Sequence, residues 1–160
     1  MKISADGLAT LEAREGKRKT MYLDSGSAPT VGCGHLLTLS ERRSGKLWLF
    51  SGKVDWDRGL TDEQVDELLR KDLAVVENTL HWALLGLPEL TQPQYDALVS
   101  FTFNVGGAAF QDSTLLKRIR AGRLGDVPAE MQRWVYDAGR RVPALEVRRA
   151  REVEQWLTEV

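Results

Sequence analysis

Apolar residues follow two different periods along the chain, which divide it into a short mixed region and a longer helical region. Ser4 is a good N-cap, and apolar residues at helical spacing follow it until Gly16, a residue typical of a left-handed helix end. Glu15 is therefore predicted to lie in the last turn of the first helix. From residue 17 to residue 38, short apolar pieces are broken by glycine and serine, which predicts a small antiparallel hairpin sheet.

The segment from residue 39 to residue 60 has no clear period. Its apolar run, residues 47–50, lies between Gly45 and Gly52. Such a run fits either another strand or a loop packed on the core, and the pattern alone leaves both open.

The second half of the chain has helical periodicity. Thr61 and Gln64 form a capping box, and the helix that follows is predicted to reach about Leu85, long enough to bridge two lobes. A second capping box, Thr91 with Gln94, begins the next helix. Three further helices are predicted, from Ser113 to Gly122, from near Asp126 through Trp134, and from Pro143 to Trp156.

These patterns predict an α+β protein that is mostly α, built as a single domain over residues 1–160. We expect a small N-terminal lobe with a hairpin sheet at about 16–60 and a connecting helix at about 61–85. A helical lobe would cover about 86–160 and include helix 1.

Composition excludes several classes of protein. The net charge of −1 gives no support for a nucleic-acid partner, and no apolar run approaches the ~20 residues that span a bilayer. Asp6 stands where a signal peptide needs its apolar core, so we expect synthesis in a cytoplasm without a signal peptide. Two histidines and one cysteine, Cys33, give no convincing metal site. We expect Cys33 to be a small buried hydrophobe.

Candidate chemistry lies in the pattern E-x8-D-x5-T, formed by Glu15, Asp24 and Thr30. The negative end of a helix dipole disfavours the anion of Glu15, which suits a general acid. Asp24 lies in a solvated hairpin turn and should stay ionised as a base toward water, and the Thr30 hydroxyl can position that water. The ordinary alternatives are a surface glutamate, an aspartate that only shapes a turn, and a threonine favoured by strand propensity.

The surrounding residues extend this pattern along the chain. Thr30 opens the run T-V-G-C-G-H at residues 30–35, and further motifs lie at residues 90–106, 110–116 and 134–152. Together they resemble the phage-type lysozymes, the endolysin muramidases of glycoside hydrolase family 24. Residues 41–59 look like an elaborated connection within this pattern, and no function is assigned to them.

The resemblance implies a lysozyme-like fold and cleavage of the β-1,4 bond between N-acetylmuramic acid and N-acetylglucosamine in peptidoglycan. It implies a metal-free enzyme without organic cofactor, which lyses the bacterial host for phage release. Such an enzyme acts on periplasmic peptidoglycan after the membrane is permeabilised, which requires a holin partner. We expect a monomer without stable membrane insertion.

Other residues are candidates for structural or substrate contacts. His35 is expected to form an ion pair with Asp72 that ties the sheet to the long helix. Phe103 and Asn104 could form a sugar-binding edge, although Phe103 fits ordinary core equally well. Ser113 could contact substrate but is more simply an N-cap.

Two alternative functions remain. A peptidoglycan-binding module that does not cut its ligand would have no need for Glu15, Asp24 and Thr30 together. A lytic transglycosylase uses one acid and forms an anhydro product, so the second carboxylate and the threonine argue against it.

Overall fold

The computed structural model describes all 160 residues, and helices make up 58% of them, which confirms the predicted mostly-α class. The chain forms two compact units. Residues 9–75 form one, here called the sheet unit, and residues 1–8 with 76–160 form the other, the helical unit. None of the helices is both long enough and apolar enough to span a bilayer.

The sheet unit contains a three-stranded antiparallel sheet and a separate hairpin. The strands of the sheet are β1 (Arg18–Leu23), β2 (Pro29–Gly32) and β3 (His35–Leu36), in the order β1-β2-β3. This confirms the hairpin sheet predicted between residues 17 and 38. The separate hairpin consists of β4 (Lys46–Leu49) and β5 (Gly52–Asp55), so the apolar run at 47–50 is a strand and its turn.

Helices α1 and α3 contribute residues to both units. The first, α1, runs from Ala5 to Glu15 and is capped by Ser4, whose hydroxyl accepts from the Gly7 amide at 2.9 Å. The second, α3 (Asp62–Leu84), begins at the predicted Thr61–Gln64 capping box, in which both hydrogen bonds are formed. Its end lies one residue before the predicted one.

One helix of the sheet unit was not predicted. It is α2 (Leu39–Ser44), which is capped by Thr38 and Glu41 in a reciprocal capping box. None of its residues is buried, so no apolar stripe marks it in the sequence.

The helical unit is built around α4 (Gln92–Val105), which begins at the predicted Thr91–Gln94 capping box. Five further elements are short: α5 (Gly107–Asp112), α6 (Thr114–Arg120), α7 (Val127–Gln132), β6 (Tyr136–Asp137) and β7 (Arg140–Arg141). The last helix is α8 (Pro143–Trp156), which packs against α4 and α7. Its bounds confirm the prediction.

Two expectations for the helical unit need correction. The helix near Asp126 was expected to carry Trp134, but α7 ends at Gln132 and Trp134 lies beyond it. There the indole packs edge-to-face on Phe101, with 5.5 Å between ring centroids. The chain then turns into the hairpin of β6 and β7, which the sequence pattern did not predict.

The glycine-rich run at residues 30–35 lets the small sheet approach α3. Gly32 has a φ of +67°, and a Cβ built on it would lie 3.3 Å from a methyl group of Leu68. Gly34 also has a positive φ, of +76°. An L side chain would be strained at either position, so the backbone conformation favours glycine at both, and packing against Leu68 adds to this at Gly32.

Candidate active site

Glu15 lies in the last turn of α1, as predicted, and is the last residue of that helix; it is half-buried. Gly16 ends the helix with a φ of +71°, and its amide donates to the Glu12 carbonyl at 2.9 Å. Burial raises the pKa of the Tyr22 phenol, and the negative charge of Glu15 raises it further. The Glu15 carboxylate therefore lies close enough to β1 to act on Tyr22 electrostatically.

The register of the sheet connects Tyr22 to the second carboxylate. Tyr22 pairs with Thr30 across β1 and β2, and Leu23 pairs with Pro29. Asp24 follows directly, at the start of the turn between the two strands. The sheet therefore brings Tyr22, Thr30 and Asp24 to the same end of one hairpin.

Asp24 is held by the backbone of its own turn. Its Oδ1 accepts from the amides of Gly26, at 2.9 Å, and Ala28, at 2.8 Å. The Asp24 amide in turn donates to the Ala28 carbonyl at 3.0 Å. Both side-chain hydrogen bonds end on Oδ1, so Oδ2 keeps its acceptor sites for water or substrate.

Thr30 belongs to the same hydrogen-bond network. Its hydroxyl donates to the Ala28 carbonyl at 2.9 Å, the carbonyl that also accepts from the Asp24 amide. The residue is 1% exposed. Because the hydroxyl proton is already used, Thr30 can orient a water only by accepting a hydrogen bond from it.

His35 lies between two carboxylates. Its Nδ1 is 2.8 Å from Oδ2 of Asp72, which is the pairing expected from the sequence, and its Nε2 is 3.2 Å from Oε2 of Glu41. Burial alone would lower the pKa of His35, but the two carboxylates outweigh it and raise the pKa above its ordinary value of 6.5. The cluster joins β3, α2 and α3.

Glu41 was not anticipated as a partner of His35. Burial would raise the pKa of its carboxyl group, but hydrogen bonds from the Thr38 amide and from His35 lower it below the ordinary value. The sequence carries a signal for this position, since Thr38 and Glu41 have the spacing of a capping box.

The His35 cluster should make stability depend on pH in a defined direction. Because the pKa of His35 is raised in the folded state, protonated His35 contributes its full stabilisation of the fold below about pH 6.5. This stabilisation is lost as the pH rises through the folded-state pKa of His35. We expect Asp72→Asn to cost about 1.5–3 kcal/mol in unfolding free energy at pH 5.5 and less at pH 8.5. Urea unfolding at both pH values, with NMR titration of the His35 ring, measures this.

Asp66→Asn is the matched control for this prediction. Asp66 lies on the same helix and pairs with Lys17, but both side chains are exposed, so its loss should cost under about 1 kcal/mol at either pH. An unchanged His35 titration in Asp72→Asn would show that the pairing has no energetic weight.

The three expected substrate-contact residues lie in the helical unit. Phe103 is half-buried, and Asn104 is exposed with its Oδ1 accepting from the Arg149 guanidinium at 2.7 Å. Ser113 is 5% exposed and caps α6, accepting from the Leu116 amide at 3.0 Å and donating to the Phe110 carbonyl at 2.6 Å. The N-cap interpretation of Ser113 is therefore confirmed.

Cys33 is buried, as expected for a small apolar residue, and burial raises the pKa of its thiol to about 11. No group of three or more His, Cys, Asp or Glu side chains is arranged to hold a metal ion.

Comparison with known proteins identifies the family of this chain. A sequence model of the family described as phage lysozyme matches residues 12–152. The endolysin of Salmonella phage P22 is 38% identical over 124 residues, which cover 74% of this chain and 73% of that protein. The endolysin of Acyrthosiphon pisum secondary endosymbiont phage 1 is 34% identical over 161 residues, covering 99% of both chains.

Solved structures share the fold. The muramidase domain of SpmX from Asticaccaulis excentricus superposes with a TM-score of 0.76 at 31% identity, covering 99% of both chains. A crystal structure of a P22 lysozyme variant gives a TM-score of 0.74 at 33% identity, with the same coverage. The fold is thus of the lysozyme class, as predicted. With the family match over residues 12–152, this chain belongs to the phage lysozyme family.

Proposed function

We propose that the protein is an endolysin muramidase, of the glycoside hydrolase family 24 type. It hydrolyses the β-1,4 bond between N-acetylmuramic acid and N-acetylglucosamine in peptidoglycan and so lyses the bacterial host. The observation that carries the proposal is that the sheet unit holds two carboxylates in different settings, Glu15 at a helix end and Asp24 in a hydrogen-bonded turn, within a family match that covers both.

In the proposed reaction, Glu15 acts as the general acid that protonates the glycosidic oxygen as the bond to the leaving sugar breaks. Asp24 acts as the base. Its Oδ1 is fixed by two amides, while Oδ2 accepts a proton from the attacking water.

Thr30 has two supporting roles in this proposal. As an acceptor, its oxygen orients the water toward the anomeric carbon. As a donor to the Ala28 carbonyl, its hydroxyl fixes the turn that holds Asp24.

For the sugar itself, Asn104 and Phe103 remain the proposed binding edge. The Asn104 oxygen already accepts from Arg149, which orients the amide so that its NH2 group can donate to an N-acetyl carbonyl. Ser113 acts in its helix cap and has no part in the proposed mechanism. Access to the periplasmic wall after synthesis in the host cytoplasm would depend on permeabilisation of the membrane by a holin.

The stereochemistry of the product tests the role of Asp24. Water activation inverts the anomeric carbon, so the first product of a β-linked substrate should be the α anomer. Proton NMR of the early digestion products measures the ratio of α to β anomer before mutarotation equilibrates the two. A β anomer formed first would instead make Asp24 a nucleophile, and undigested peptidoglycan would contradict the proposed activity.

Removing only the Thr30 hydroxyl should slow hydrolysis. Thr30→Val keeps the β-branched shape, and we expect a loss of about 10- to 100-fold in kcat because the water and the Asp24 turn lose their alignment. Thr30→Ser keeps the hydroxyl and should retain most activity. Equal hydrolysis rates for Thr30→Val and Thr30→Ser would show that the Thr30 hydroxyl has no role in the mechanism.

A further inference from the structure

The hairpin of β4 and β5 carries two large exposed side chains. Leu47 and Leu49 are buried, so the alternate positions of β4 face outward. Trp48 on that face is 61% exposed, and Phe50 in the turn is 70% exposed. Residues 48–53 are here called the hairpin tip.

The hairpin tip is held in place by α3. Both carboxylate oxygens of Glu67 accept from Ser51, one from its amide at 2.5 Å and one from its hydroxyl at 2.7 Å. The Lys71 ammonium donates to the Trp48 carbonyl. The two aromatic side chains are therefore presented on an ordered turn, so little further ordering is needed when they meet a partner.

The segment that carries these aromatic rings contains more basic than acidic side chains. Residues 39–58 contain five Lys or Arg and three Asp or Glu. Lys53 lies opposite Trp48 with its Nζ 5.5 Å from the ring centroid and has no carboxylate partner. Arg42 and Arg43 are exposed in the last turn of α2, which contacts β4, and they too have no ion-pair partner.

Two of the three carboxylates in residues 39–58 have partners, and the third, Asp57, lies beside Gly45. Asp55 is paired with Lys46 at 2.9 Å, and Glu41 accepts from His35 and from the Thr38 amide. Glu67 keeps its negative charge, because its partner Ser51 is neutral. Asp57 and Glu67 are nevertheless outnumbered by the nearby cations that have no carboxylate partner, so the charge available around the tip is predominantly cationic: Arg42, Arg43, Lys53 and Lys71.

Proteins that bind the surface of an anionic bilayer use tryptophan, phenylalanine and nearby lysine or arginine side chains. Tryptophan sits at the headgroup level, apolar rings enter the acyl boundary, and cations contact acidic headgroups. A sugar platform fits less well, because Phe50 has no polar handle and Lys53 lies over the Trp48 ring. We propose that the hairpin tip is a reversible docking site for an anionic phospholipid surface.

This docking is peripheral and involves no spanning segment, so it is compatible with the absence of stable membrane insertion. It does not depend on the proposed hydrolysis. It gives a role to part of residues 41–59, where the sequence indicated only an elaborated connection.

Co-sedimentation of the full chain with sucrose-loaded vesicles tests the proposal. We expect binding to phosphatidylethanolamine–phosphatidylglycerol vesicles and little to pure phosphatidylcholine. Phe50→Ser and Trp48→Ala should each lower the partition coefficient about tenfold, from lost apolar burial. Lys53→Gln should lower it about fivefold, an effect that weakens at high salt.

Trp82→Ala is the matched control, since Trp82 is 63% exposed, about as much as Trp48, but lies outside the hairpin. It should bind vesicles like wild type. Unfolding temperatures verify that each variant is folded. Wild-type binding by Phe50→Ser, or an equal loss in Trp82→Ala, would overturn the proposal. The proposal would also be overturned if the hairpin variants lost binding to lipid-free peptidoglycan sacculi while their vesicle binding stayed unchanged. That result would indicate a glycan-binding site.

Discussion

Glu15→Gln is expected to lower the rate of wall lysis by about 10²- to 10⁴-fold, because glutamine cannot supply the proton that the leaving sugar oxygen needs. That loss corresponds to roughly 3–5.5 kcal/mol of transition-state stabilisation. The glutamine side chain keeps the size of glutamate, so the end of α1 should remain folded. The rate is measured as the fall in turbidity of a suspension of permeabilised Gram-negative cells.

Glu12→Gln is the control for this prediction. Glu12 precedes Glu15 by three residues on α1, is also half-buried, and lies 3.8 Å from the Lys17 ammonium. Losing so weak an ion pair should change neither folding nor lysis by more than about twofold. Equal clearing by Glu15→Gln and wild type would refute the assignment of Glu15.

The second large effect is expected at a buried ion pair in the helical unit. Glu152 is 0% exposed, and Arg149, at 1% exposed, has its Nε 2.9 Å from Oε2 of Glu152. Arg148 Nε lies 3.1 Å from Oε1 of the same carboxylate, and the Ser100 hydroxyl donates to it at 2.6 Å. One carboxylate therefore compensates two guanidinium groups, of which one is fully buried.

Glu152→Gln should cost about 3–5 kcal/mol in unfolding free energy, because it removes the buried negative charge that both Arg149 and Arg148 contact. Urea unfolding followed by circular dichroism measures the loss. Glu154→Gln, on the exposed side of the same helix, should cost less than about 0.5 kcal/mol. Similar losses in the two variants would mean that the buried charge has no special role.

Local signals in the sequence predicted most of the helices. The Thr61 and Thr91 capping boxes fixed where α3 and α4 begin, because the cap and the first turn lie within four residues of each other. The same signature at Thr38 and Glu41 marks α2, but that helix has six residues and no buried face. Without an apolar period, the capping signal alone did not distinguish it from a loop.

The region around Trp134 depends on tertiary contacts that no local pattern reports. The helix ends before Trp134, and the ring packs against Phe101, about thirty residues earlier in the chain. The turn between β6 and β7 uses positive φ at both Ala138 and Gly139. Glycine readily adopts a positive φ but alanine rarely does, so the Ala138-Gly139 dipeptide gave only a weak hairpin signal.

Local sequence patterns indicated the residues of the candidate site but not the contacts that support them. The spacing of Glu15, Asp24 and Thr30 follows from a helix end and a hairpin, which are both local features. The Ala28 carbonyl, which joins Asp24 to Thr30, carries no side-chain signal. The contact between Glu41 and His35 required the fold of α2 to be known.

Glu15 is proposed to donate the proton in a hydrolytic cleavage, and mass analysis of fragments released from purified peptidoglycan tests this role. We predict fragments with reducing N-acetylmuramic acid ends for the wild-type protein. Folded Glu15→Gln should release almost none while still binding the sacculi. Anhydro-muramic acid ends, or equal fragment release by the two proteins, would contradict the account.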